Sequence, residues 1–541
     1  MQAGSEFGYR PLLFIILLAG LGAIILQSLA SKLGCVTGQD LASHCRILFH
    51  DRPKYRKLVR YSVLYPLYVL SEIGIVCTDL AELIGSAIGL CLLFPSIPLW
   101  TAVLVTAADV LVFLLIGGPT RGGKPVKVFE AVIIVLVMAV FACFVVLLVK
   151  VEPDWGDAFL GYIPSTKLFD THTDVLYVAV GILGATVMPH ALFLGSFLAT
   201  LNRTGSNNKP LPYPIQTNDK TVVHPPAVHF RAWFKSLFEV SRAERIAASR
   251  EYRTQYGRQN NELSFVQSHL NHGIVDIVMS LIGVAVPINS AILILAAAVF
   301  FKPGGGGSMP ASLFDAHELI VDRIGNAAGV VFALALLFAG QTSSITATLA
   351  GQVVSEGFIE WRISPFLRRL VTRMIGLVPS MVVAIAVGRT GINTLLVASQ
   401  VALSIVLPFV AFPLIWLTSS KSIMSVKMPR KPDRFDDTTQ ADTTMTLDTP
   451  PSIFATQDES SVMSESVSNN LLICQIQEVE RPPLSEKGGS VHIEKGIVIH
   501  DDEEYIDFSN GRLLTLVSGL IFIIVLAANM YVFVMLGLGR T

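Results

Sequence analysis

The stretch that decides the fold is Val175-Leu176-Tyr177-Val178-Ala179-Val180-Gly181-Ile182-Leu183-Gly184-Ala185-Thr186-Val187-Met188-Pro189-His190. A helix that reaches Pro189 must break there, because proline has no amide N–H and its ring clashes with the preceding turn. Inside a bilayer, irregular backbone is tolerated only where it is buried in protein or lines a wet cavity. The break therefore brings carbonyl oxygens, a thioether and an imidazole to one depth, which suits a transition-metal cation. A kinked packing helix is the alternative interpretation.

The composition is that of a polytopic membrane protein. Of 541 residues, 52% are hydrophobic and only 15% are charged, and many apolar runs exceed about 18 residues. The net charge of −1 indicates no particular partner, and no patch suggests nucleic acid. The six cysteines form no CxxC pair, which argues against a zinc site or a disulfide framework. No span carries a nucleophile–base pair or zinc-hydrolase spacing, so an enzyme is not predicted.

Apolar runs predict about ten membrane spans. Their approximate bounds are 11–31, 62–92, 98–117, 127–150, 174–199, 272–301, 328–357, 370–388, 392–417 and 513–537. The odd-numbered connections are rich in Lys and Arg, which predicts that they are cytoplasmic and that both termini lie outside. Residues 201–271 form a long basic connection. Residues 419–511 are rich in Ser, Thr, Asp and Pro, and we predict a disordered cytoplasmic loop there, with its clearest composition at 425–510.

The second predicted span carries three carboxylates, Glu72, Asp79 and Glu82, whose spacing places them on one helical face. A charge at the centre of a bilayer costs about 2.5–3.5 kcal/mol, so three on one stripe are not expected to face lipid. Their candidate counter-charges stand at the start of the eighth span: Arg368, Arg369 and Arg373. Such a network either holds two helices together or conducts protons, and spacing alone leaves both interpretations open.

Other spans carry polar residues next to small residues or prolines. Asn289 follows Pro287 in the sixth span, and Gln400 precedes Pro408 in the ninth. The seventh span contains the small and hydroxyl residues of Gly340–Gln352, which permit close helix approach. By itself that pattern is more typical of packing than of transport.

Four motifs together resemble the Nramp metal-ion transporters of the Smf type, which carry manganese, iron and similar divalent ions with protons. They are Thr78-Asp79-Leu80-Ala81-Glu82, Gly184–His190, the Gly340–Gln352 stretch and Arg368-Arg369-Leu370-Val371-Thr372-Arg373. The resemblance implies an all-α, LeuT-like inverted-repeat bundle. Residues 1–200 would then hold the first repeat without its first helix, plus the broken helix of the second repeat. Residues 272–418 would complete the second repeat, and 512–541 would form the last transmembrane helix.

The resemblance also implies roles for individual residues. The Ala185 carbonyl and the Met188 sulfur would ligate the metal, and Gln400 would join them in some states. The proton pathway would contain His190, Asp79, Glu82, Glu72, Arg368, Arg369 and Asn289. A thioether is a poor ligand for Mg²⁺ or Ca²⁺ but an acceptable one for Mn²⁺ or Fe²⁺, so Met188 would select against the abundant ions.

One departure from the family concerns its first helix. The Asp-Pro-Gly-Asn stretch that breaks that helix and supplies two metal ligands is absent, and Gln2–Tyr9 resembles the family's segment just after that helix. We therefore expect the chain to lack this helix. Met1 is then either an internal methionine of a longer protein or the start of a truncated paralogue. Smaller departures are Ala191, where the family usually has Asn, and Val406, where a second glutamine is common.

The predicted function is alternating-access transport of Mn²⁺ or Fe²⁺ coupled to protons. The alternatives are a non-transporting paralogue with a regulatory role and an organic-solute symporter on the same fold. Divalent ions and protons are the expected substrates and the lipid bilayer is the expected surrounding, with no cofactor and no nucleic acid. The protein is expected in the plasma membrane or in an endosomal or vacuolar membrane.

Overall fold

The protein is described by a computed structural model at residues 1–50, 54–116, 124–165, 168, 175–201, 260–301, 311–360, 365–428, 497–500 and 503–538. Apart from three short strands, the regular structure of these residues is helical. The helices are α1 Gln2–Phe7, α2 Leu12–Thr37, α3 Leu41–Phe49, α4 Arg56–Val59, α5 Tyr65–Leu93, α6 Leu99–Ile116, α7 Lys124–Val151, α8 Trp155–Leu160, α9 Val175–Thr186, α10 Pro189–Leu198, α11 Leu263–Ser280, α12 Val286–Phe300, α13 Leu313–Arg323, α14 Asn326–Ile359, α15 Pro365–Ala386, α16 Arg389–Ser419, α17 Lys421–Met424 and α18 Arg512–Gly537. Single π-helical turns join α4 to α5 and α11 to α12.

Every apolar run predicted as a span is helical, and the runs 174–199 and 272–301 each contain two helices. Within the described residues, eight helical segments are long and apolar enough to cross a membrane, and shorter apolar segments lie at Leu99–Ala108 and Leu370–Ala386. The chain is an integral membrane protein. The sixth span begins earlier than predicted, at Leu263 rather than at residue 272. Val266, in the additional turns at the N-terminal end, is fully buried against the core, and this packing extends the helix before the start of the apolar run.

Close helix approach depends on glycine at several crossings. A Cβ at Gly34 of α2 would collide with the Ser196 carbonyl of α10, and one at Gly89 of α5 would lie 2.9 Å from the Ala333 carbonyl of α14. Small residues at such crossings let backbones touch, which is how helices associate in a bilayer. The largest core cluster joins α2, α3, α5, α10, α14 and α16 around the buried rings of Phe193 and Phe358.

The ends of the segment predicted to be disordered are folded, so the prediction over 419–511 is wrong there. The strands β1 Ser425–Lys427, β2 Ile497–His500 and β3 Glu503–Asp507 form an antiparallel sheet in the order β1-β3-β2. Its stability has a local cause, because Val426 is buried in the core and Asn260 donates hydrogen bonds of 2.7 Å to the carbonyls of Ile423 and Ser425. Residues 429–496 and 501–502, the rest of that prediction, lie outside the described residues, as do residues 202–259 of the basic connection.

The last helix is tied to the bundle by side-chain hydrogen bonds. Asn510, just before α18, donates to the Thr418 hydroxyl at 2.8 Å and accepts from the Lys32 ammonium at 3.1 Å. Deeper in the membrane, Asn529 donates to the Ser404 carbonyl of α16 at 2.9 Å. Because Ser404 also borders the break between α9 and α10, α18 supports the helix that faces that break.

Candidate metal and proton site

The break predicted at Pro189 is present. Helix α9 ends at Thr186, α10 begins at Pro189, and Met188 between them is extended, with φ −73° and ψ 125°. Because residue 189 has no N–H, the Ala185 carbonyl lacks the donor that a continuous helix would supply. Ala185 and Met188 are both half-buried. The turn therefore holds a carbonyl oxygen without its helical donor and a thioether sulfur three residues apart.

Helix α16 lies directly against this turn and carries Gln400. A Cβ at Gly184 would lie 2.7 Å from the Ser404 amide nitrogen and closer still to the Gln400 carbonyl oxygen, so only glycine permits this crossing. The Gln400 amide donates to the Ser399 hydroxyl at 3.3 Å, and its Oε1 is buried with no hydrogen-bond partner among the described residues. A buried amide oxygen without a donor is a free ligand for a cation.

His190, on the first turn of α10, is 5% exposed and faces α5. Its Nδ1 lies 3.1 Å from the Thr78 hydroxyl oxygen, which lies 3.0 Å from the Gly74 carbonyl oxygen. Thr78 therefore links the His190 ring to the backbone of α5.

The next residue of α5, Asp79, belongs to a buried cluster. Its Oδ1 accepts from the Ser344 hydroxyl at 2.9 Å and lies 3.4 Å from the Arg373 guanidinium. Arg373 also donates to the Asp79 carbonyl at 3.1 Å and to Ser344 at 2.6 Å. One turn on, Glu82 accepts a hydrogen bond from Ser343. Both carboxylates thus face α14, and Asp79 is also paired with α15.

The third carboxylate, Glu72, forms an ion pair with Arg368, whose Nη2 lies 2.5 and 2.7 Å from its two oxygens. A cavity too narrow for a water molecule separates this pair from the Asp79 cluster. Its lining contains Ile75, Asp79, Ala347, Thr348, Arg368 and Thr372. The predicted pairing of α5 with the arginines of the eighth span is confirmed for Arg368 and Arg373, and the two pairs are close but separate.

Two predicted members of the proton pathway are not placed in it. The Arg369 side chain lies outside the described residues, and Asn289 is exposed on α12, where no described hydrogen bond links it to the carboxylates. Sequence reasoning missed the roles of Ser343 and Ser344, which it assigned to packing. The sequence feature that could have indicated these roles is two consecutive hydroxyl residues shortly after Gly340, a glycine suited to close contact between helices.

No group of three His, Cys, Asp or Glu residues that could hold a metal ion occurs within the described ranges. The ligands predicted at the break are neutral: the Ala185 carbonyl, the Met188 sulfur and the Gln400 amide oxygen. A thioether among oxygen ligands favours Mn²⁺ or Fe²⁺ over Mg²⁺ and Ca²⁺.

The chain is similar to several known metal-ion transporters. The chain is 38% identical to the manganese transporter pdt1 of Schizosaccharomyces pombe, over 79% of the chain and 72% of that protein. It is 34% identical to the iron transporter SMF3 of Saccharomyces cerevisiae, over 100% of the chain and 92% of that protein. A crystal structure of the Eremococcus coleocola manganese transporter is similar with a TM-score of 0.56 at 30% identity, covering 78% of this chain and 75% of that one.

The relatives are transporters rather than enzymes, and their fold confirms the predicted all-α, LeuT-like class. The Nramp family profile, "Natural resistance-associated macrophage protein-like", matches residues 1–431. This match spans the break, the carboxylates of α5 and the arginines of α15. The chain belongs to the Nramp family of metal-ion transporters.

Proposed function

We propose that this protein transports Mn²⁺ or Fe²⁺ together with protons by alternating access. The observation that supports this most directly is the broken turn, with the helix that carries Gln400 packed against it. The Ala185 carbonyl and the Met188 sulfur come from the break itself, and the unpartnered Gln400 oxygen comes from the helix packed against it. The names of the relatives, manganese and iron transporters, agree with this ligand set.

Protons would use the groups that extend from the break along α5. His190 is linked through Thr78 to the backbone of α5, Asp79 follows with Arg373, and Glu72 follows with Arg368. Charged groups inside a membrane protein mark ion and proton pathways because their burial is otherwise costly. A cavity lined by Asp79 and Arg368 lies between the two ion pairs. Protons that pass from one pair to the other would cross it.

Alternating access would use the break as its hinge. The unwound residues Val187 and Met188 separate α9 from α10, so either half can tilt without breaking helical hydrogen bonds. Broken helices at the middle of the membrane serve this purpose in transporters built from inverted repeats. Gly184 keeps α9 in contact with α16, so a tilt of α9 would carry Gln400 towards or away from the metal.

Uptake into proteoliposomes tests the proposal. Wild-type protein should take up Mn²⁺ and Cd²⁺ with an inward proton gradient and exclude Ca²⁺. Met188→Ala should lose this discrimination and admit Ca²⁺ or Mg²⁺, because the soft ligand is gone. The control is Met279→Ala, since Met279 is 65% exposed on α11, away from the break. Unchanged selectivity in Met188→Ala would reject Met188 as a ligand, and absence of all metal uptake by wild type would favour a non-transporting relative.

A further inference from the structure

Two consecutive serines of α14 each hold one carboxylate of α5. Ser344 is completely buried and donates to Asp79 Oδ1, and Ser343 donates to Glu82. The relative position of α14 and α5 is fixed by Gly340, one turn before the two serines. A Cβ on Gly340 would lie 2.9 Å from the Glu82 carbonyl oxygen, so the backbones of the two helices are in contact at this point. Both hydroxyls are therefore aimed at carboxylates by the helix contact itself.

Ser344 donates its hydroxyl proton to Asp79 Oδ1 at 2.9 Å, because an ionised carboxylate can only accept. Arg373 donates to the Ser344 oxygen at 2.6 Å, since a guanidinium can only donate. A donor aimed at a carboxylate stabilises its ionised form. Ser344 thus lies between Arg373 Nη2 and Asp79 Oδ1, accepting from the guanidinium and donating to the carboxylate.

The two oxygens of Asp79 are unequal. Oδ1 faces Ser344 and Arg373, whereas Oδ2 is buried with no hydrogen-bond partner among the described residues. A proton that reaches this carboxylate would bind Oδ2 and leave the serine contact on Oδ1 intact. The other charged groups around Asp79 are Arg368 across the narrow cavity, His190 through Thr78, and Glu72 and Glu82 on its own helix.

We infer that Ser343 and Ser344 are positioning residues for proton transfer, which set the proton affinity of Glu82 and Asp79 according to the contact between α14 and α5. With α14 and α5 in contact, each serine donates to one carboxylate. The inference rests on the proposed proton coupling and adds to it the two residues that position its carboxylates.

Infrared difference spectroscopy of the full-length protein in liposomes, titrated with acid in the absence of metal, tests this inference. The carboxyl C=O band of Asp79 is assigned by its loss in Asp79→Asn, and that of Glu82 by its loss in Glu82→Gln. In Ser344→Ala the midpoint of the Asp79 band should rise by about one pH unit, because a hydrogen bond to a charged group is lost. Ser343→Ala should raise the Glu82 midpoint in the same way.

The matched control is Ser355→Ala. Ser355 is buried on the same helix, and its hydroxyl donates to a backbone carbonyl, Gln352 at 3.1 Å, so both midpoints should stay unchanged. Ser344→Cys keeps the side-chain volume with a weaker donor and should shift the Asp79 midpoint by less than Ser344→Ala. Unchanged midpoints in both alanine variants would overturn the inference. Because the titration contains no metal, it does not depend on transport, and absence of manganese uptake by wild type would count against the proposed function alone.

Discussion

At the scale of single residues, the site depends on a proline and a glycine, each of which lacks a group that most residues have. Pro189 removes a backbone donor and so frees the Ala185 carbonyl. Gly184 removes a Cβ and so admits α16 to the turn. With an N–H at position 189, the Ala185 carbonyl would have its helical donor. With a Cβ at position 184, Gln400 would lie too far from that carbonyl.

Gly184→Ala should therefore destabilise the protein and weaken metal binding together. The added Cβ would overlap the Gln400 carbonyl oxygen, and a misfit of this kind costs about 1–3 kcal/mol. The measurement is thermal unfolding of the purified protein, with Mn²⁺ affinity from titration calorimetry. Gly195→Ala is the control, because a Cβ at Gly195 meets nothing within 4 Å. Equal melting temperatures for the two variants would show that the α9–α16 crossing is looser than described.

The residues at the break could be predicted because their effects are local. Proline breaks a helix wherever it stands, and the methionine and histidine beside it share its depth. Ser343 and Ser344 could not be assigned in this way. Their role depends on which face of α14 turns towards α5, and that face is set by the contact of Gly340 with Glu82 and Ser86. Such a contact between two helices is not visible in either segment alone.

At the scale of elements, ion pairs join α5 to α15 at two levels, Glu72 with Arg368 and Asp79 with Arg373. Arg368 is 6% exposed, so the pair with Glu72 is buried on one side and costly to break. The pattern of three carboxylates on one stripe was sufficient to predict that arginines face them. It did not predict which arginine pairs with which carboxylate, because that depends on the tilt between the helices.

Glu72→Gln should lower the free energy of unfolding by about 3 kcal/mol, since it leaves the buried Arg368 charge unpaired. The measurement is denaturant unfolding in detergent micelles. A matched change in a more exposed pair is Glu360→Gln, where Glu360 is 39% exposed and lies 3.4 Å from Arg46. Because Arg46 also donates to the Phe358 carbonyl, this control should cost about 0–1 kcal/mol. A similar loss of unfolding free energy in both variants would mean that the Glu72–Arg368 pair stabilises the protein no more than the more exposed pair does.

At the scale of the whole molecule, α18 is held by a polar cluster at the same end of the bundle as the small sheet. Asn510 connects Thr418 at the end of α16 with Lys32 near the end of α2. Composition led to a prediction of disorder across this region, because Ser, Thr and Asp dominate the segment. The prediction fails at the ends of the segment, where a few residues such as Val426 are buried in the core.

Asn510→Ala should loosen α18 without affecting the metal ligands. Loss of its buried hydrogen bonds costs about 1–3 kcal/mol, so limited proteolysis should cut before α18 sooner than in wild type. Mn²⁺ affinity should be unchanged. Ser422→Ala serves as the control, because Ser422 is exposed in the same region and its hydroxyl contacts only the nearby Ser420 hydroxyl among the described residues. Identical digestion of the two variants would argue against the cluster as the anchor of α18.

The pairing of β1 with β3 places Lys427 beside Tyr505, although 77 residues separate them in sequence. The two strands therefore lie at adjacent points, and the entropic cost of closing a connection between them grows only slowly with its length. A fluorescent protein whose own termini are close together can be spliced between these strands. Such a fusion would report the location of the transporter in living cells while leaving both ends of the polypeptide free.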